Sequence, residues 1–362
     1  MSQPPFPSRP RSGGRPLRAD VVVVAGVHAA QRHAQAARLA ADAGATLVAA
    51  VAWGEDGLVP EAVLRTGGPV VLEVPAQVPV THVIGELADE PERVRVTAVV
   101  AVACLHTLHE DLADGAGHGR ALVDCLEAAT HHALVGASEP DRATGPAATP
   151  GADRTVHGVL RADGEAETAA RRLLAVLRPD ALPVVGGRAD AGPLCTAGPD
   201  AAGGIGPELD CAGWLQVVNG EWPTDRVVPG VGVARYERHR PFHRGRLEEL
   251  ADRWALEAAA RGAGGAAAGL RISGLCRLGD LPEWTFRWDQ VGTDLELHPL
   301  APDDAVLGAE PGDGLEPELL CVGPELALFG WGAHADLSRI VADLDAALLT
   351  DAEFAAGPDA WG

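Results

Sequence analysis

The chain is 362 residues long and 47% hydrophobic, and its 51 acidic side chains outnumber 29 basic ones, all arginine, for a formal net charge of −22. That length allows two domains with substantial cores, while so acidic a surface argues against a nucleic-acid backbone as partner, which basic patches bind by counterion release. With no lysine anywhere, P-loop-lysine, Schiff-base and pyridoxal-lysine chemistry are excluded.

Residues 1–18 hold Pro4, Pro5, Pro7, Pro10 and Pro16 among arginines and lack the apolar centre of a signal peptide, so they read as a disordered tail. No run approaches the ~18 apolar residues a membrane span needs. The six cysteines, Cys104, Cys125, Cys195, Cys211, Cys276 and Cys321, include no C-x-x-C pair, which suggests free thiols in a reducing cytoplasm.

Residues 19–188 alternate β-rich runs with helical patterns, the signature of a mostly parallel sheet with helices on its faces. Val21–Ala25 reads as a buried strand, Ala29–Ala43 as a helix, and Thr46–Trp53, Pro69–Val74 and Val94–Ala103 as further strands. Ala88–Glu92 reads as a polar turn, Gly119–His131 as a helix and His132–Gly136 as a short strand. Ser138–Asp153 is expected to be a surface loop, and residues 189–229, opened by the Gly/Pro/Ala-rich Gly186–Gly206 stretch, a linker.

Residues 230–362 read as a compact α+β domain. Strands are expected at Gly230–Arg238, Leu270–Leu278, Trp284–Val291, Leu295–Pro299, Glu318–Val322 and Leu326–Gly330. Helices are expected from Arg244 to about Arg261 and at Leu337–Leu348, with a low-complexity insert at Ala301–Glu316.

The turn after the first strand is where a phosphate-binding loop would sit. A P-loop, G-x-x-x-x-G-K-[ST], wraps phosphates in backbone N–H groups and supplies a lysine and a Mg²⁺-binding hydroxyl. The register here gives Gly26, then Gln31 for the second glycine, Arg32 for the lysine and His33 for the hydroxyl. Arg32 keeps a cation at a helix N-terminus, but its planar fork is no substitute for lysine in a tight loop, and Gln31 lacks glycine's backbone freedom.

In the second half, Val233–His243 (VARYERHRPFH), Arg271–Leu278 (RISGLCRL), Arg287–Gly292 (RWDQVG) and Leu348–Trp361 (LLTDAEFAAGPDAW) occur in order. Together they resemble the C-terminal domain of the CobW family. That family consists of P-loop GTPases acting as metallochaperones, so the resemblance implies a P-loop-NTPase-like N-terminal domain, a smaller α+β CobW C-terminal-like domain, and metal trafficking coupled to Mg-GTP. Residue by residue, the first half departs from the pattern. Leu58–Pro69 has no cysteine where the family carries G-C-x-C-C, Val71–Ala76 keeps only Glu73 of the switch segment, Cys104 stands for the strand-end aspartate, and Leu134–Glu139 replaces the guanine-reading Asn-Lys-x-Asp.

Metal ligands could instead come from Cys104, His106 and His109 after the fourth strand, with Cys125 on the next helix, a donor set suited to Zn²⁺. His28, His33 and His82 form a second candidate cluster, and His118 lies in the intervening loop. No catalytic group is assigned. The chain is expected to be a pseudo-GTPase that binds a metal ion or a partner protein. The alternatives are a diverged but functional nucleotide-dependent zinc or cobalt chaperone and a scaffold subunit.

Overall fold

The computed structural model describes residues 18–54, 58–113, 118–136, 156–184, 212–223, 226–261, 269–300, 321–357 and 361, with side chains of the helix that starts at Val156 described from Gly164. The expected tail (except Arg18), the Ser138–Asp153 loop, Gly186–Gly206, the Ala301–Glu316 insert, Cys195 and Cys211 lie outside the described residues.

The first half builds a six-stranded sheet, parallel throughout, from β1 (Ala19–Ala25), β2 (Thr46–Val48), β3 (Gly68–Glu73), β4 (Val94–Cys104), β5 (His131–Val135) and β6 (Leu182–Pro183), in the order β2-β3-β1-β4-β5-β6. β1 holds four consecutive valines and is buried on both faces, as a central parallel strand must be. On one face Val22, Val24, Val71, Val100 and Val102 pack against α1 (Ala29–Ala43) through Ala36, Leu39 and Ala40. On the other, Val21, Val23, Leu72 and Val99 meet α3 (Val80–Ala88), α4 (Leu108–Ala113), α5 (Arg120–Ala128) and α6 (Val156–Leu177), with Val63 of the short α2 (Glu61–Arg65).

Several elements differ from the sequence expectation. The second strand stops at Val48, not Trp53, because the chain leaves the ladder for a 3₁₀ turn at Ala50–Ala52. Ala50 N–H there donates to Glu73 Oε2 (3.2 Å) and Trp53 Nε1–H to Glu73 O (2.8 Å). The helical reading of Gly119–His131 stops at Ala128, and β5 begins at His131. α3 lies beyond the expected elements, although its buried Val80, Val83 and Leu87 follow the i, i+3, i+7 spacing of a helix. Its N-cap is Pro79, which offers no side-chain acceptor, and Asp124 of α5 supplies one across space.

The second half forms an antiparallel sheet from β7 (Val231–Glu237), β8 (Gly269–Leu278), β9 (Leu281–Val291), β10 (Asp294–Pro299) and β11 (Glu325–Trp331), in the order β10-β9-β8-β11-β7. Its core joins Trp288, Ile272 and Leu328 to α8 (Arg244–Arg261) through Leu247, Leu250 and Trp254 and to α9 (Ser338–Ala347) through Ile340 and Leu344. The strand expected at Glu318–Val322 falls largely outside the described residues, and its visible end, Cys321–Val322, is not strand. Two short helices complete the half. α7 (Gly213–Val218) lies inside the expected linker, and α10 (Asp351–Ala356) is set by a Thr350/Glu353 capping box.

The two sheets are not independent bodies. Val291 and Trp331 of the second sheet belong to the core of the first, and Val176 of α6 packs with Ala327 and Phe329 of β11. No helix among the described residues is long and apolar enough to cross a membrane.

Candidate functional site

In an open parallel sheet, ligands bind beyond the carboxyl ends of the strands where the winding reverses. Here β1 connects toward β2 and β3 while β4 connects toward β5 and β6, so the reversal falls between β1 and β4. The segments that end there are the β1–α1 turn, the end of β3 at Glu73, and Leu105–Asp111 after β4.

The β1–α1 turn is Gly26, Val27 and His28, and α1 starts at Ala29. A P-loop spends several more residues between strand and helix, whereas Gln31, Arg32 and His33 are already in the first turns of α1. Gly26 has φ +155°, and a Cβ there would lie 2.5 Å from Val102 O, so glycine is required by the close passage of β4 and not by a phosphate.

Arg32 is only 4% exposed and is turned inward. Its Nη1 donates to Gly26 O at 2.6 Å and its Nε to Glu73 Oε1 at 3.2 Å. The β1–β3 register sets Val24 opposite Glu73, which brings that carboxylate to the turn. Glu73, 2% exposed, also accepts from His33 Nδ1 at 2.9 Å and from Ala50 N–H on its second oxygen. The cation at the head of α1 thus gives two of its five N–H donors to the chain's own carbonyl and carboxylate.

Beside it, His28 Nε2 lies 2.7 Å from Asp111 Oδ2 and 3.1 Å from Thr107 Oγ1, and Thr107 Oγ1 donates to the same Asp111 oxygen at 2.7 Å. This is not a nucleophile–base–acid relay. Such a relay uses the two ring nitrogens for different partners, whereas here hydroxyl and carboxylate share one nitrogen and the hydroxyl proton points at the carboxylate. The ring of His118 stands 6.0 Å from that of His28. The third histidine of that expected cluster is elsewhere, since His82 pairs with Glu86 along α3 at 3.2 Å.

The Zn²⁺ donor set does not assemble. Cys104 is buried at the end of β4 while His106 is exposed on the turn beyond it. Burial pushes the Cys125 thiol up to about 12, away from the thiolate a metal needs, and Asp124 beside it adds to the shift. Burial lowers the His109 pKa and so favours the neutral ring that a metal takes, and its Nε2 has no hydrogen-bond partner. Among the described residues no three His, Cys, Asp or Glu side chains stand together in a way that could hold a metal ion.

At the carboxyl end of β5, Leu134, Val135 and Gly136 line a groove of about 270 Å³ with Gln35, Arg38, Ala133 and Val184, and none of these brings a carboxylate to read a guanine edge. Sequence reasoning singled out Gly26, Gln31, Arg32, His33 and Glu73 but not what joins them. The bonds from Ala50 and Trp53 to Glu73 and from His28 to Asp111 link segments tens of residues apart and leave no periodic trace.

No protein-family model matches the chain, and no curated protein matches it. Among solved structures it is similar to the Zn(II)-bound YjiA GTPase from E. coli, at 11% identity and a TM-score of 0.31, over 93% of this chain and 100% of that one. A Zn(II)-bound triple mutant of the YjiA GTPase gives the same values.

Proposed function

We propose that this chain is a pseudo-GTPase of CobW type that acts by binding a partner, a protein or a metal ion, and not by turning over nucleotide. The observation that carries this reading is the closed β1–α1 turn, in which Arg32 is committed to Gly26 O and Glu73. A phosphate brought to the turn would meet the Glu73 carboxylate. The paired Arg32 and Glu73 are neutral as a unit, so the turn offers a phosphate no net positive charge. The open N–H groups it would find are those of the first turn of α1 alone, without the further loop of backbone N–H groups that a P-loop adds before its helix.

A protein surface is available next to that turn. Val51, 94% exposed, caps the 3₁₀ turn that Ala50 anchors to Glu73, and His33 is half-exposed on the neighbouring helix. An apolar tip beside a polar crevice suits a protein contact. The residues first considered as zinc ligands do not fit an ion in this arrangement, so the metal arm of the proposal needs donors beyond them.

Isothermal titration of the fully reduced chain with Mg-GTP, Mg-GDP, Mg-ATP, Zn²⁺ and Co²⁺ tests the reading. No nucleotide heat and no phosphate release are expected. Micromolar Mg-GTP binding with turnover would overturn it in favour of a working nucleotide-dependent metallochaperone.

A further inference from the structure

Three charged residues of α5, Arg120, Asp124 and Glu127, follow a helical i, i+4, i+7 spacing and so share one face. All three are engaged with other elements. Glu127 receives Arg271 of β8 in a two-pronged bond, Nε to Oε1 at 2.8 Å and Nη2 to Oε2 at 2.9 Å. Arg271, 1% exposed, is bonded on its other side to Asp289 of β9. Arg120 reaches β9 at Asp289 Oδ2 (3.3 Å) and β10 at Asp294 Oδ2 (3.1 Å).

From that same face Asp124 reaches α3 instead. Its Oδ2 accepts Val80 N–H at 2.7 Å and its Oδ1 the Thr81 hydroxyl at 3.1 Å, which caps a helix whose own N-cap is proline. α3 is joined to β3 by residues 74–79, immediately after Glu73.

From this arrangement we infer that α5 is a conformational latch. The second sheet, through Arg271 and Asp289, fixes α5, and α5, through Asp124, fixes the start of α3 and the segment leading out of Glu73. The second half of the chain thereby holds the switch-point crevice in its closed form. A swinging C-terminal domain would have a small, wet seam. Here the seam is a bidentate arginine pair flanked by Val291 and Trp331, both buried in the first sheet's core.

Amide exchange and thermal unfolding of the full chain test the latch. In Glu127→Gln, which keeps the shape and removes the charge, the Val80 and Thr81 amides should exchange roughly tenfold faster, and the single unfolding transition should broaden or split. In Asp124→Ala the same amides should exchange faster while unfolding stays a single transition, because only the outgoing arm is cut. Arg271→Met is the harsher version of the first change, and if it does not fold, Glu127→Gln decides alone. Wild-type exchange at Val80 in Glu127→Gln overturns the latch, as does separation of the two sheets by Asp124→Ala.

Discussion

Arg32 and Arg271 are both almost wholly buried, yet they sit in opposite settings. Arg32 heads α1 at the reversal of the parallel sheet, where a ligand-binding cation belongs, and is held by one carboxylate oxygen, at 3.2 Å, and one carbonyl. Arg271 lies in the seam between the sheets, where no ligand is expected, and is held by two carboxylates, one of them in fork geometry. The looser grip is at the place where a ligand would have had to displace it, and the tighter grip is at the joint. Of the two contacts, the chain uses the tighter one to hold its halves together and closes the crevice with the looser one.

That ranking can be broken by deletion. Arg271→Ala takes the two-pronged partner from Glu127 and leaves Asp289 with Arg120 and Arg287 alone, and should lower stability by about 3–5 kcal/mol. Arg32→Ala leaves the buried Glu73 still bonded to His33 and the Ala50 N–H, and should remove about 2–3 kcal/mol. Urea unfolding of the two variants gives the order directly, and a larger loss for Arg32→Ala would reverse the comparison.

Gly26→Ala probes the crevice from the other side. The added methyl meets Val102 O at 2.5 Å in a region of φ that other residues rarely adopt, so about 1–3 kcal/mol should be lost. The same denaturation measurement checks it, and a neutral result would mean that the turn is looser than described.

Much of the architecture was legible in the sequence, and the reason differs by element. The valine run of β1 and the spacing of Ala29–Ala43 carry their periods openly, and α1 ends at Gly44 in the left-handed conformation a helix C-terminus favours. β2 was over-extended because Ala50–Trp53 is apolar in sequence but follows Glu73 in space. The charged stripe of α5 had the pattern of a solvated face, and only the placement of β8 and β9 makes it a seam. At the site, the missing lysine and second glycine were visible, but the capture of Arg32 by Glu73 depends on β-sheet register, which no local pattern encodes.

Acid separates the two regions by pH. His132 in β5 is pushed down to about 4, chiefly by burial, so the folded protein keeps it neutral while the unfolded chain protonates near 6.5. Its contribution is therefore complete above pH 6.5 and is lost as pH falls toward 4, by at most about 1.4 kcal/mol per pH unit. Burial raises Asp289 in the seam, but Arg271, Arg287 and Arg120 outweigh it and leave the carboxyl below its usual 3.8. The seam thus holds until pH falls below that value. Stability measured from pH 7 to 4 should decline in the wild type and less in His132→Gln, where His109, also lowered by burial, keeps part of the decline, and an equal decline in both would place the acid-sensitive group elsewhere.

The smallest expected effect is the most pointed. Arg32→Lys restores the residue a P-loop needs, and if the lysine were all that the crevice lacked, Mg-GTP affinity should return. The geometry predicts otherwise. A lysine ammonium can still reach Gly26 O or Glu73, at a loss of about 1 kcal/mol for the missing second bond. The turn remains three residues long, Gln31 remains in the helix, and Glu73 remains at its head. Titration of Arg32→Lys with Mg-GTP should show no binding. Affinity regained by that single change would mean that the crevice of this chain is closed by the arginine alone, and the weaker of the two buried contacts would then be the one that decides what the molecule binds.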